Sequence, residues 1–239
     1  MNKTILILLI GCSLISCKEK IPLHFTERNI EFSDDAVIEI NISNADGTNS
    51  VAESINSIIE NFIVNTISFG EDSLINISLN DAAKKFDSMY VAFKDDFEES
   101  SLVWEAFIDG EVTYQSPEIT CIAINSYLNT GGAHGNMNIS FLNFNSQTGQ
   151  LLQNDDIIKN NDFIKLAEKY FTLELQDMPN EDTFDDYFFG DDFHLPENIG
   201  FSDEGVILLY NVYEIAPYSE GIIEFTIPFE EVLPYLKIN

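Results

Sequence analysis

Residues 119–145 read ITCIAINSYLNTGGAHGNMNISFLNFN, and this stretch decides the fold. Ile119 to Asn129 and Asn138 to Asn145 are rich in β-branched and aromatic residues, so two strands are predicted. Between them Thr130-Gly131-Gly132-Ala133-His134-Gly135-Asn136 carries three glycines. Those glycines require a loop whose backbone takes conformations closed to other residues.

Outward toward the N-terminus, Val103 to Ile108 and Val112 to Gln115 flank Asp109-Gly110, a pair that predicts a hairpin turn. Further upstream the period changes to a helical one. Val51, Ile55, Ile58, Ile59, Phe62 and Ile63 predict a helix from about Ser50 to Ile67. Ala82, Phe86, Met89, Tyr90, Phe93 and Phe97 predict a second, with Asn80 as its N-cap. Before these, Val37 to Ile42 alternates as a strand.

Toward the C-terminus, the Ser146-Gln147-Thr148-Gly149 turn precedes a third helix over about Asp162 to Leu175. An acidic stretch, Asp177 to Glu204, separates it from strands Val206 to Glu214 and Gly221 to Pro228 and a terminal helix, Phe229 to Leu236. The fold class is therefore α+β in two lobes. The first, residues 32–116, is a strand and helix lobe; the second, residues 117–239, is an antiparallel sheet with helices packed on it.

Several short motifs carry a family resemblance. Tyr127-Leu128-Asn129 with the glycine loop, Phe144-Asn145 with Thr148-Gly149, and Tyr213-Glu214-Ile215-Ala216-Pro217-Tyr218 with Gly221 and Ile227-Pro228 resemble the PdaC/RsiV-like family of extracytoplasmic domains. The resemblance covers about Phe32 to Leu236 and is strongest from Tyr127 onward. It implies an α+β domain associated with peptidoglycan or with proteins that act on it, since the family includes the accessory domain of a peptidoglycan deacetylase and the ectodomain of a lysozyme-sensing anti-sigma factor. The sequence shows neither a deacetylase domain nor a transmembrane helix with a sigma-binding segment, so the resemblance transfers the domain and neither whole activity.

The first residues give the expected compartment. Lys3 and an apolar run from Thr4 to Ile15, too short for a permanent span, read as a signal peptide, residues 1–16. Leu14-Ile15-Ser16-Cys17 fits the lipobox of bacterial lipoproteins, better than Leu9 to Cys12, which would leave too short an apolar core. Cys17 is the expected lipidation site, residues 17–31 the tether, and the lipid the only membrane attachment, facing the periplasm or the cell surface.

Removing residues 1–16 takes away one lysine and no acid and leaves a formal charge of −31. Such a charge repels nucleic acid and anionic lipid and speeds encounter with cationic partners. With 19 Phe and 9 Tyr the chain can still bury a core, unlike a disordered acidic tail. Between Tyr170 and Leu236 there are sixteen Asp or Glu and no Lys or Arg. Glu181-Asp182, Asp185-Asp186 and Asp191-Asp192 bracket Phe184, Tyr187, Phe188 and Phe189, interleaving charge with aromatic anchors. Calcium and simple solvation are the competing explanations for this run, although the EF-hand order of Asp, Asn and Gly is absent.

Chemistry-bearing residues are few. Cys121 has no partner for a disulfide and no basic neighbour, so it reads as a small buried hydrophobe. His24, His134 and His194 share no metal-ligand spacing, and no serine elbow or phosphate loop occurs; no cofactor and no metal are expected. Thr130, Gly131, Gly132, Ala133, His134, Gly135 and Asn136 form the candidate ligand-binding loop, with Tyr213 and Tyr218 as a second candidate segment. The alternative for His134 is a histidine that braces the loop, and for the tyrosines, packing under a turn shaped by Pro217 and Gly221.

The expected function is a lipid-anchored envelope module that binds peptidoglycan fragments or a cationic wall hydrolase such as lysozyme. The competing expectations are a wall-glycan hydrolase or deacetylase using His134 as base, and a structural envelope lipoprotein.

Overall fold

The computed structural model describes residues 23–68, 77–97, 101–159, 162–177 and 184–237. The lipobox and Cys17, and Glu181-Asp182 of the acidic run, lie outside these residues. The architecture is the expected α+β in two sheet lobes.

The larger sheet has the order β1-β2-β3-β4-β5-β6, with β1 at Phe25–Phe32, β2 at Val37–Ala45, β3 at Glu105–Gln115, β4 at Ile119–Asn129, β5 at Asn136–Asn145 and β6 at Leu151–Leu152. Every pairing is antiparallel except β2 with β3. That parallel pair needs a crossover, and two helices supply it: α1, Ser50–Ile67, and α2, Leu79–Asp96. α1 starts where Asn49 accepts the backbone N–H groups of Val51 and Ala52, each at 3.0 Å, and it buries Ala52, Ile55, Ile59 and Ile63 along one stripe. Asn56 locks it to the sheet through both an N–H and a C=O bond to Ala45, at 2.8 and 2.9 Å.

Three expectations change here. α2 is capped by Ser78, not Asn80: the Asp81 N–H donates to Ser78 Oγ, which itself donates to the Asp81 carboxylate. Asp109-Gly110 is not a turn but the middle of the single strand β3. Gly110 sits between Ile42 and Ile124, and a Cβ there would come 3.2 Å from Ile42 Cγ2, so the glycine lets neighbouring side chains close over the strand. Residues 25–31, read as tether, belong to β1. Its side chains are mostly exposed, as on an edge strand, so no apolar alternation advertised it. The lobe boundary drawn after Ser116 falls in the β3–β4 turn, inside the larger sheet.

The smaller sheet is antiparallel, β7-β8-β9, at Asn198–Phe201, Gly205–Tyr210 and Ile223–Pro228. In the chain between the two sheets come the short α3, Asn154–Ile157, and α4, Asp162–Asp177. Phe171 of α4 is the hub of the second core. Its ring meets Phe188 at 5.2 Å, Tyr187 at 5.6 Å, Tyr210 at 5.9 Å and Phe225 at 6.0 Å between centroids, mostly edge to face. The strand expected over Val206 to Glu214 stops at Tyr210, because the chain turns back at Asn211. α5 takes only Phe229–Val232 before a 3₁₀ turn at Leu233–Tyr235.

The lobes are stitched by polar contacts between their sheets. Asn143 Nδ2 donates to Ile199 O at 2.7 Å, and Phe201 N donates to Cys121 Sγ at 3.3 Å. Cys121 is fully buried, as a small hydrophobe would be, and burial pushes its thiol pKa up to about 11.

Candidate functional site

The two candidate segments, eighty residues apart in sequence, meet. The imidazole of His134 lies on the ring of Tyr218 with centroids 4.0 Å apart and planes 25° from parallel, and Tyr218 in turn lies 5.6 Å from Tyr213. The three rings form a ladder at the surface: Tyr213 is 57% and Tyr218 37% exposed, and His134 is exposed as well. Met137, also exposed, follows the loop on β5.

The glycine loop is held from below. Gly131, at φ +86°, rests on Phe93 and Trp104, where a Cβ would approach Phe93 Cζ to 3.1 Å, and its N–H donates to Asn129 Oδ1. Gly135 lies directly against the ring of Tyr127, which stacks on Phe107 at 6.1 Å, so no side chain fits at 135 without moving that ring. Gly132, Ala133 and Asn136 are exposed, while Thr130 is half-buried. His134 Nδ1 stands 2.9 Å from Gly135 O, a contact that requires the proton on Nδ1. The bracing reading and the ladder thus coexist: one ring nitrogen holds the loop while the ring face meets Tyr218.

The tyrosine segment is held by residues the sequence reading did not single out. Asn211, buried at the end of β8, donates from Nδ2 to Ile139 O and accepts from Ile139 N at Oδ1, both at 2.8 Å. This two-way amide contact joins the turn after β8 to β5, the strand that leaves the glycine loop. Glu214 closes the turn from the other side, accepting the Asn211 N–H at 2.8 Å and the Glu197 N–H at 2.9 Å. Half burial raises the Glu214 pKa, against the lowering effect of those two N–H groups. Tyr213 is forced to φ +68°, a conformation costly for a tyrosine, and its ring is left exposed. A side-chain amide bonding backbone 72 residues away leaves no local pattern, which is why Asn211 was not legible as a positioning group, whereas Glu214 bonds backbone 3 and 17 residues away and stood in the sequence only as part of the tyrosine segment.

The histidines do not converge on a metal: among the described residues no group of three His, Cys, Asp or Glu is placed to hold an ion. His194 belongs to the second core's edge, 5.2 Å from Phe188, and its carbonyl accepts the Tyr210 hydroxyl at 2.5 Å. An open cleft of about 520 Å³ lies elsewhere, between Phe141 to Asn143, Leu151 to Asp155 and Glu197, and includes none of the candidate residues. No helix among the described residues is long and apolar enough to cross a membrane.

Comparison with known families matches the deacetylase PdaC model over residues 30–137 and the model for a protein of unknown function, DUF3298, over residues 155–230. The chain is PdaC/DUF3298-like. The ladder spans both parts, since His134 lies in the PdaC match and Tyr213 and Tyr218 in the DUF3298 match. Two solved structures share the fold of this PdaC/DUF3298-like chain. One is a DUF3298 family member from Bacteroides fragilis, with TM-score 0.67 and 23% identity over 90% of this chain and 93% of that one. The other is a DUF3298 family protein from Pseudomonas aeruginosa, with TM-score 0.61 and 22% identity over 91% and 96%. No curated protein matches the chain.

Proposed function

We propose that this PdaC/DUF3298-like chain is an exported binding module, anchored by lipid on Cys17, that takes a cationic wall hydrolase such as lysozyme on the His134–Tyr218–Tyr213 ladder. The observation that carries the reading is the ladder itself. Exposed aromatic rings supply contact area at low entropic cost, and here two distant segments are braced to present them together. Charge supports the choice of partner: the formal net charge is −30, and a field of that size favours encounter with a cation-rich surface. The PdaC match over residues 30–137 agrees with the resemblance from which an association with the cell wall was expected.

A second reading, binding of peptidoglycan fragments, is favoured by the exposed ring of Tyr213 beside the His134–Tyr218 stack, since an exposed aromatic face suits the apolar face of a sugar. Titration of residues 18–239, which contain every described residue, separates the two. A cationic lysozyme, an equally cationic unrelated protein and soluble wall fragments are each tested at two salt concentrations. Saturable binding to lysozyme that persists at moderate salt, and weakens in Tyr218→Ala, supports the first reading. Equal, salt-labile binding of both proteins contradicts it, and binding of wall fragments alone moves the assignment to glycan.

A further inference from the structure

The segment Phe184-Asp185-Asp186-Tyr187-Phe188-Phe189-Gly190-Asp191-Asp192-Phe193 contains a conformation that folding alone does not explain. Phe188, Phe189 and Gly190 follow one another at φ +60°, +54° and +90°. A glycine takes this region freely, whereas for a side chain as bulky as phenylalanine it is a steric outlier. For Phe188 the compensation is visible: its ring is buried among Phe171, Phe193 and Tyr210, with centroids 5.2, 5.3 and 5.8 Å away. Phe189 has no such compensation. Its ring is 65% exposed, the most exposed large apolar side chain among the described residues.

The position of this tip ties it to the ladder. Phe188 N donates to Ile215 O at 2.7 Å, and Ile215 stands two residues after Tyr213 and three before Tyr218. The turn that carries the tyrosines therefore also holds the base of the Phe189 tip. Around it Asp186, Asp191 and Asp192 are exposed, within a stretch from 171 to 236 that contains no lysine or arginine.

We propose that Phe189 is a second anchor of the same binding face, an exposed ring that enters an apolar pocket rimmed by lysine or arginine on the cationic protein partner. This rests on the ladder reading of function. The apolar ring supplies contact area and the flanking aspartates meet the cationic rim, while outliers of backbone strain concentrate where a surface makes contact with a ligand.

The test uses residues 18–239 with a cationic lysozyme as probe, comparing the parent with Phe189→Gly, Asp191→Asn/Asp192→Asn and Tyr218→Ala. Phe189→Gly suits the left-handed backbone, so its melting temperature holds or rises while its affinity falls about tenfold or more. The double aspartate variant lowers the association rate and flattens the salt dependence. Loss of binding in Tyr218→Ala, with Phe189→Gly within about twofold of the parent, overturns the second anchor and leaves the ladder reading standing. Absence of saturable binding by the parent chain overturns both.

Discussion

Tyr218 lies on His134 at 4.0 Å between ring centroids, and through that contact the turn before β9 reaches the glycine loop between β4 and β5. Removing the ring dismantles the middle of the ladder without touching either core. Tyr218→Ala is expected to keep the circular dichroism and melting temperature of the parent and to weaken partner binding about tenfold to a hundredfold. Tyr218→Phe, which keeps the stack, is expected to bind within about threefold.

Asn211 is expected to matter for both stability and binding. In Asn211→Ala, Ile139 loses a donor and an acceptor at a partly buried contact, a cost of about 1–3 kcal/mol. Chemical denaturation measures that cost. A parallel binding titration is expected to show a loss comparable with Tyr218→Ala, because the turn is no longer registered against β5.

Gly149 tests the joint between the first helix and the sheet. It sits at φ +70°, a Cβ there would come 2.6 Å from Val51 O, and its own carbonyl accepts from Ser54 Oγ at 2.9 Å. Gly149→Ala is expected to destabilise by about 1–3 kcal/mol in denaturation experiments, with partner affinity unchanged in the folded fraction.

How much of this was legible follows from range. α1 is bounded as its apolar spacing and polar start predicted, and β4 likewise, because helix caps and strand patterns are local signals. The Thr130–Asn136 loop and the Tyr213–Tyr218 segment were visible as candidates for the same reason. Their meeting was not, since nothing in residues 130–136 encodes a contact with residue 218. Asp109-Gly110 misled because a glycine that ends a strand and a glycine that lets side chains close over one look alike locally. The tip at Phe189 was visible as an aromatic in an acidic run, but its left-handed backbone was not.

The response to pH has a defined sign. Burial raises the pKa of Glu214, and burial with the nearby Glu174 charge raises that of Glu224, both above the ordinary 4.5. A carboxyl group with a raised pKa in the folded state contributes stability that is fully present below its unfolded pKa and lost as pH rises through the folded one. The melting temperature is therefore expected to rise as pH falls from about 8 toward about 5, with relief of the chain's net negative charge acting in the same direction. Glu224→Gln is expected to reduce that slope.

Cys121 is expected to resist thiol reagents in the folded chain. It is buried, accepts the Phe201 N–H, and its thiol pKa is pushed up to about 11, so little thiolate exists near neutral pH. Labelling with a chromogenic disulfide reagent is expected to proceed only after unfolding, which makes Cys121 a reporter of the contact between the two sheets.

The most direct measurement is to follow the ring protons of His134 by NMR while a cationic lysozyme is added to residues 18–239. His134 stacks on Tyr218, so a partner that occupies the ladder changes the ring current it feels. The predicted result is a saturable shift of the His134 signals, absent with an unrelated cationic protein. Saturable binding by other probes with His134 unmoved would contradict the ladder as the binding surface.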